Sequence, residues 1–158
     1  MKMVARTGFT TANDATDLNQ VGTVMIDGSN GKKYRYVQVD DANLAANDVV
    51  EYANATGTEV SKDVSGGTVV GRAFAGVAVN TITDGNYGWV QVGGLATCAV
   101  AANTAVLAGA RVVTGSADGV VSTQVATTGS EDYSFGTAVA DDTATTSAAG
   151  TVAVMLDL

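Results

Sequence analysis

A chain of 158 residues with 26 Ala, 25 Val, 21 Thr and 19 Gly takes 91 positions from four small or β-branched types. It is long enough for one domain that buries roughly 70% of its unfolded surface. No His and a single Cys exclude His-based catalysis, the usual His-containing metal sites and an intramolecular disulfide, and a net charge of −8 without a basic cluster argues against nucleic acid.

Residues 1–20 are mostly small and polar, with Phe9 and Leu18 as the clearest apolar anchors. That composition suits an extended arm that becomes ordered on a partner, or an edge strand that closes the domain. From residue 21 onward Val and Thr favour a pleated, half-buried surface. Strands are predicted at Val21–Ile26, Lys33–Asp40, Val49–Tyr52, Thr68–Phe74, Gly76–Thr81 and Tyr87–Val92. They continue at Leu95–Val100, Ala110–Thr114, Val120–Val125, Phe135–Ala140 and Thr151–Leu156. Turn signals separate them at Asp27-Gly28, Asn30-Gly31, Gly66-Gly67, Asp84-Gly85 and Asp118-Gly119. Asp41–Asp48 is the one stretch that suits a single turn or a short helix, and Asp141–Ala149 reads as a loop. The expected fold is all-β, a small sandwich or barrel-like domain of short antiparallel strands spanning 21–158, with an N-terminal arm at 1–20.

Two internal echoes stand out. Tyr34-Arg35-Tyr36-Val37-Gln38-Val39 and Tyr87-Gly88-Trp89-Val90-Gln91-Val92 share one pattern, and each follows an Asp-Gly turn. Gly76-Val77-Ala78-Val79 pairs with Gly136-Thr137-Ala138-Val139. They point to a pseudo-repeated domain with halves at about 21–65 and 66–158. Strand alternation puts Tyr34, Tyr36 and Gln38 on one face and Val37 and Val39 on the other, and it divides Tyr87, Trp89 and Gln91 from Val90 and Val92 in the same way. If the Val face points inward, the aromatic face lies outside or at an interface; otherwise both faces are buried. Because large side chains are scarce, sheets packed on Ala and Val bury little area per residue, at roughly 25 cal/mol per Å². Part of the stability is therefore expected from association with copies of itself or another surface.

The candidate chemistry is sparse. Asp40-Asp41, Glu131-Asp132 and Asp141-Asp142 are adjacent carboxylates, which on a strand point to opposite faces and read as solvated loop charge. Asp27-Gly28-Ser29-Asn30-Gly31 faintly resembles a calcium loop, but Gln38 stands where that loop needs a bidentate Glu, so a hairpin turn explains it better. Cys98 sits in an Ala/Val run and reads as a small buried apolar residue. No phosphate loop, nucleophile elbow or dinucleotide fingerprint occurs. The expectation is a protein that is not an enzyme and takes no cofactor. The longest apolar runs are far short of the 18 or so residues of a membrane span. Without the apolar stretch of a signal peptide, the chain is expected to be used in a cytoplasm, with neither membrane nor nucleic acid as partner.

Two sets of residues carry a resemblance. Asp17-Leu18-Asn19-Gln20-Val21-Gly22-Thr23 and Gly31-Lys32-Lys33-Tyr34-Arg35-Tyr36-Val37 resemble the opening of small virion proteins of tailed bacteriophages. Gly76-Val77-Ala78, Gly88-Trp89-Val90-Gln91-Val92-Gly93-Gly94, Ala108-Gly109-Ala110-Arg111-Val112, Asp118-Gly119 and Val154-Met155-Leu156 resemble phage capsid decoration, or cement, proteins. The resemblance implies a β-rich structural protein, often trimeric, on the outside of the virion head, where it binds the major capsid protein and reinforces the shell after assembly in the host cytoplasm. Phe9, Leu18, Tyr34, Tyr36 and Trp89 are the expected contact anchors. The alternatives are a head-fibre or tail component, or a carbohydrate-binding module that stacks sugars on Trp89 and Tyr87.

Overall fold

The computed structural model describes residues 9–63, 73–124, 134–145 and 147–157. Ten strands follow in order: β1 (Val24–Ile26), β2 (Lys33–Val39), β3 (Val49–Tyr52), β4 (Glu59–Ser61), β5 (Phe74–Ala78), β6 (Tyr87–Val100), β7 (Arg111–Thr114), β8 (Val120–Thr123), β9 (Gly136–Ala138) and β10 (Gly150–Leu156). Among the described residues a 3-10 turn, Phe9–Thr11, precedes them. The all-β expectation holds. Asp41–Asp48 is not helical: Asp41 and Asn47 take positive φ (76° and 75°), and Leu44 between them bridges to Ile82. The strand predicted at Thr68–Phe74 and the Gly66-Gly67 turn lie largely or wholly outside the described residues.

The strand order closes two rings. β2, β4, β3, β5 and β6 pair in turn, and β6 pairs back to β2. β6, β8, β7, β9 and β10 do the same, and β10 pairs back to β6. The result is two five-stranded barrels that share the 14-residue β6. Gly94, at φ 82°, stands where β6 passes from one barrel to the other, a conformation that costs a residue without Cβ little. Tyr87–Val92 and Leu95–Val100, expected as two strands, are therefore one.

The barrels match position by position. Each holds one parallel pair, β2 on β4 (Val39↔Val60) and β6 on β8 (Val100↔Val121). Ala78↔Val90 corresponds to Ala138↔Val154, and Val50↔Gly76 to Val112↔Gly136. The loop before β3 corresponds to the loop before β7, with Asp41 matched by Asn103 and Asn47 by Gly109, all at positive φ. The Gly76–Val79 and Gly136–Val139 echo is thus a true structural repeat. The Tyr-x-aromatic echo is not: β2 and β6 are antiparallel partners within one barrel, with Tyr36 opposite Trp89. The repeat divides at Gly93–Gly94, so the expected division near residue 65 falls inside the first barrel.

Each barrel has its own interior. Val37, Val39, Leu44, Val50, Val60 and Val90 fill the first. Cys98, Val100, Val106, Val112, Val121 and Val154 fill the second at the equivalent positions. A five-stranded ring encloses a narrow space, of the size that short aliphatics suit. Outward-facing Val49, Val77 and Phe74 of the first barrel join the core of the second, where Phe74 stacks on Phe135 with centroids 3.9 Å apart. Asn47 O accepts from Ala99 N and Gly119 O from Val49 N, tying the barrels by backbone as well.

Candidate functional site

Alternation along β2 and the first half of β6 points Tyr34, Tyr36 and Trp89 out of the barrel, as the sequence pattern requires. They are nonetheless interior: Tyr36 and Trp89 are at most 1% exposed. The cover is the chain's own N-terminal segment. Phe9 makes edge contacts with Tyr34 (5.2 Å) and Trp89 (5.1 Å), and Ala12, Val21 and Met25 complete the layer. The segment is fastened by backbone bonds between Asp14 and Tyr87 in both directions (2.9 and 2.8 Å). Asn13 adds a side-chain clasp, its Oδ1 accepting from Thr83 N (3.0 Å) and Asn86 Nδ2 (2.9 Å). Both faces of these strands are buried, so Tyr34, Tyr36 and Trp89 do not present a contact surface. A sugar platform on Trp89 is ruled out for the same reason.

Of the five expected anchors, the structure gathers Phe9, Tyr34, Tyr36 and Trp89 into one aromatic cluster and leaves Leu18 apart, 69% exposed. Leu18 lies on a loop closed by Asp17 Oδ2, which accepts from Val21 N (3.1 Å), and by Thr23 Oγ1 donating to Asn19 O (2.8 Å). Sequence reasoning missed four other exposed large apolar side chains, Leu95, Leu107, Val139 and Met155, all in or beside the second barrel. Alternation could have flagged Leu95 and Met155, since the residues that share their strand faces are small: Thr97 beside Leu95, and Thr151 and Ala153 beside Met155.

The Tyr36 hydroxyl donates to Asp14 Oδ2 at 2.7 Å. Burial, then the Asp14 carboxylate, pushes its pKa up to about 12 from 10.0. The folded state therefore holds this proton more tightly than the unfolded chain does. The stability it adds is complete below pH 10 and is lost as pH rises through about 12. Tyr36→Phe is expected to lower stability at neutral pH, by losing the bond to Asp14, and to flatten the decline between pH 10 and 12; urea melts across that range, read against tyrosinate absorbance, check this. An equally steep decline in Tyr36→Phe would count against it.

The remaining polar groups do local work. Asp27 accepts from Ser29 N (2.9 Å) and Ser29 Oγ (2.7 Å), bonds that hold its carboxyl below the usual range and form the β1–β2 hairpin turn in place of a calcium loop. Asp41 is pushed up by the charge of Asp63, with Asp40 and Asp84 adding to it. Arg35 lies over the Tyr52 ring, 5.8 Å from its centroid, and donates to the Tyr52 hydroxyl. Cys98 is fully buried, and desolvation pushes its thiol up to about 12, as suits an inert core residue. Among the described residues no group of three or more His, Cys, Asp or Glu side chains could hold a metal ion.

Fold and site together define an all-β protein of two fused barrels, one of them strapped by its own N-terminal segment. No family model matches the sequence, and no curated protein matches it. The chain is similar to the solved N-terminal base of the head fibre protein gp8.5 of bacteriophage phi29, with 21% identity, a TM-score of 0.46, and coverage of 79% of this chain and 98% of that one.

Proposed function

We propose that this chain is a structural protein of a tailed-phage virion that decorates the capsid exterior and binds the major capsid protein. The observation that carries the reading is Leu18. It is an exposed leucine on a hydrogen-bonded loop, and it falls within the Asp17–Thr23 stretch whose sequence resembles phage virion proteins. A loop already fixed by Asp17 and Thr23 loses little freedom on docking, so its apolar side chain contributes more of its burial energy to binding. The other resembling stretches form the framework: Gly76–Ala78 lies in β5, Gly88–Gly94 in β6 and Val154–Leu156 in β10. The role would be to add buried area across capsomer boundaries, with many weak copies adding through avidity.

Undecorated heads from the phage that encodes the chain should bind it saturably at a fixed stoichiometry and gain heat resistance. Leu18→Asp should weaken binding roughly tenfold or more, since burying a leucine is worth about 1.5–3 kcal/mol. No binding, or wild-type affinity in Leu18→Asp, overturns the proposal. A map of the virion separates decoration from a head-fibre or tail position.

A further inference from the structure

The two barrels have equivalent outer faces, and among the described residues only the first is covered. In the first, Tyr34, Tyr36, Trp89 and Val79 lie beneath Phe9, Val21 and Met25. The repeat places Leu95, Thr97, Ala153 and Val139 at the matching positions of the second, with Met155 in the place of Gln91. Leu95 and Met155 face each other directly across β6 and β10. Leu95 (43%), Met155 (42%) and Val139 (49%) stand exposed on this face.

We infer that this bare face of β6, β10 and β9 is a contact surface for a second copy of the chain. Charge is the first reason. In a molecule of net charge −8 the strands β6, β9 and β10 contain no carboxylate, Asp157 standing just beyond the end of β10, and no acidic residue occurs anywhere from 85 to 117. Two copies can meet here without the like-charge repulsion that opposes contact elsewhere. Geometry is the second reason. Leu95 and Met155 are a cross-strand pair, so a two-fold axis over the face sets Leu95 of one copy on Met155 of the other, a self-complementary arrangement. The third reason is the first barrel, where the same face is closed by side chains of this very chain. Three strands about 4.8 Å apart give a patch roughly 15 Å on a side, well under the ~800 Å² per partner of a standard interface, so the contact is weak in solution and grows effective where copies are held close.

Sedimentation from micromolar to millimolar concentration tests the inference, with circular dichroism confirming the fold. The wild type should self-associate at the upper end, with little change on added salt. Leu95→Lys and Met155→Lys, each placing a charge on a strand surface, should weaken association at least tenfold, and Leu18→Lys should leave it unchanged. A wild type that stays monomeric at millimolar concentration, or lysine variants that associate as the wild type does, overturns it. If Leu95→Lys abolishes binding to heads while the free protein is monomeric, the face belongs to the shell, which overturns this inference and leaves the decoration role standing. Self-association without head binding does the reverse.

Discussion

Trp89→Ala is expected to cost about 3–5 kcal/mol, the range for truncating a large aromatic in a packed interior. For a chain of this length that lowers the melting temperature by roughly 6–20 °C. The size follows from where Trp89 sits. It is 1% exposed, beneath Phe9 and beside Tyr36, whose ring centroid lies 5.0 Å away. Removing it leaves a cavity between the first barrel and the N-terminal segment, and Phe9 loses one of its two aromatic neighbours. The segment should then loosen before the barrels do. Amide hydrogen exchange at Asp14 and Tyr87, bonded to each other in both directions, should speed up more than exchange at Val39 or Val100 inside the rings. A cost below about 1 kcal/mol, or uniform acceleration of exchange, would show that the segment is not held by this cluster.

The same cluster shows how far the sequence could be read. Alternation put Tyr34, Tyr36 and Trp89 on one face correctly, and Val49–Tyr52 appears as a strand with the bounds that its residues predict. Whether the aromatic face met water could not be read from the strands, because its cover comes from Phe9 to Met25, in another part of the chain. Gly93-Gly94, the gap between the strands predicted at Tyr87–Val92 and Leu95–Val100, is the point where one strand leaves the first barrel for the second. β4 is three residues long, too short to show a period. Asp41–Asp48 has helix-compatible residues, yet Asp41 and Asn47 adopt the left-handed conformation that Asp and Asn tolerate better than most, which lets Leu44 reach the barrel interior.

Composition led to one inference that the fold revises. Scarce large side chains pointed to a thin core that needs outside support. In narrow five-stranded barrels Val and Ala are the sizes that fit, as Val39, Val60, Val100 and Val121 show at matched positions. Association through the exposed face bearing Leu95 and Met155 needs no shortage of apolar bulk in the barrels. Leu18 lies on the loop before β1 and the bare face on the second barrel, so one molecule can offer both surfaces at once, as decoration of a shell by contacting copies would require.

The repeat itself makes the second large prediction. Gly76 and Gly136 occupy the same position in the two barrels, and at both the neighbouring strand leaves no room for a side chain. A Cβ on Gly136 would lie 2.5 Å from Met155 O, and one on Gly76 would lie 2.7 Å from Val90 Cγ2 and 3.0 Å from Gln91 O. Overpacking of this kind costs about 1–3 kcal/mol, occasionally more. Gly136→Ala should lie at the upper end, because the nearest atom is backbone and β10 must move as a strand. Gly76→Ala first meets a valine methyl, so part of its cost should go when that methyl is removed, while Val90 Cβ at 2.9 Å and the φ of 157° at Gly76 keep the rest. In a double-mutant cycle Gly76→Ala with Val90→Ala should be about 1 kcal/mol less damaging than the sum of the singles. Gly136→Ala with Val154→Ala should show less relief, since the carbonyl of Met155 remains in place. Denaturant melts of the six variants decide the matter. Additive costs in the first barrel would mean that the Val90 methyl is not what opposes a side chain at Gly76, and relief as large in the second that the Met155 carbonyl is not what opposes one at Gly136.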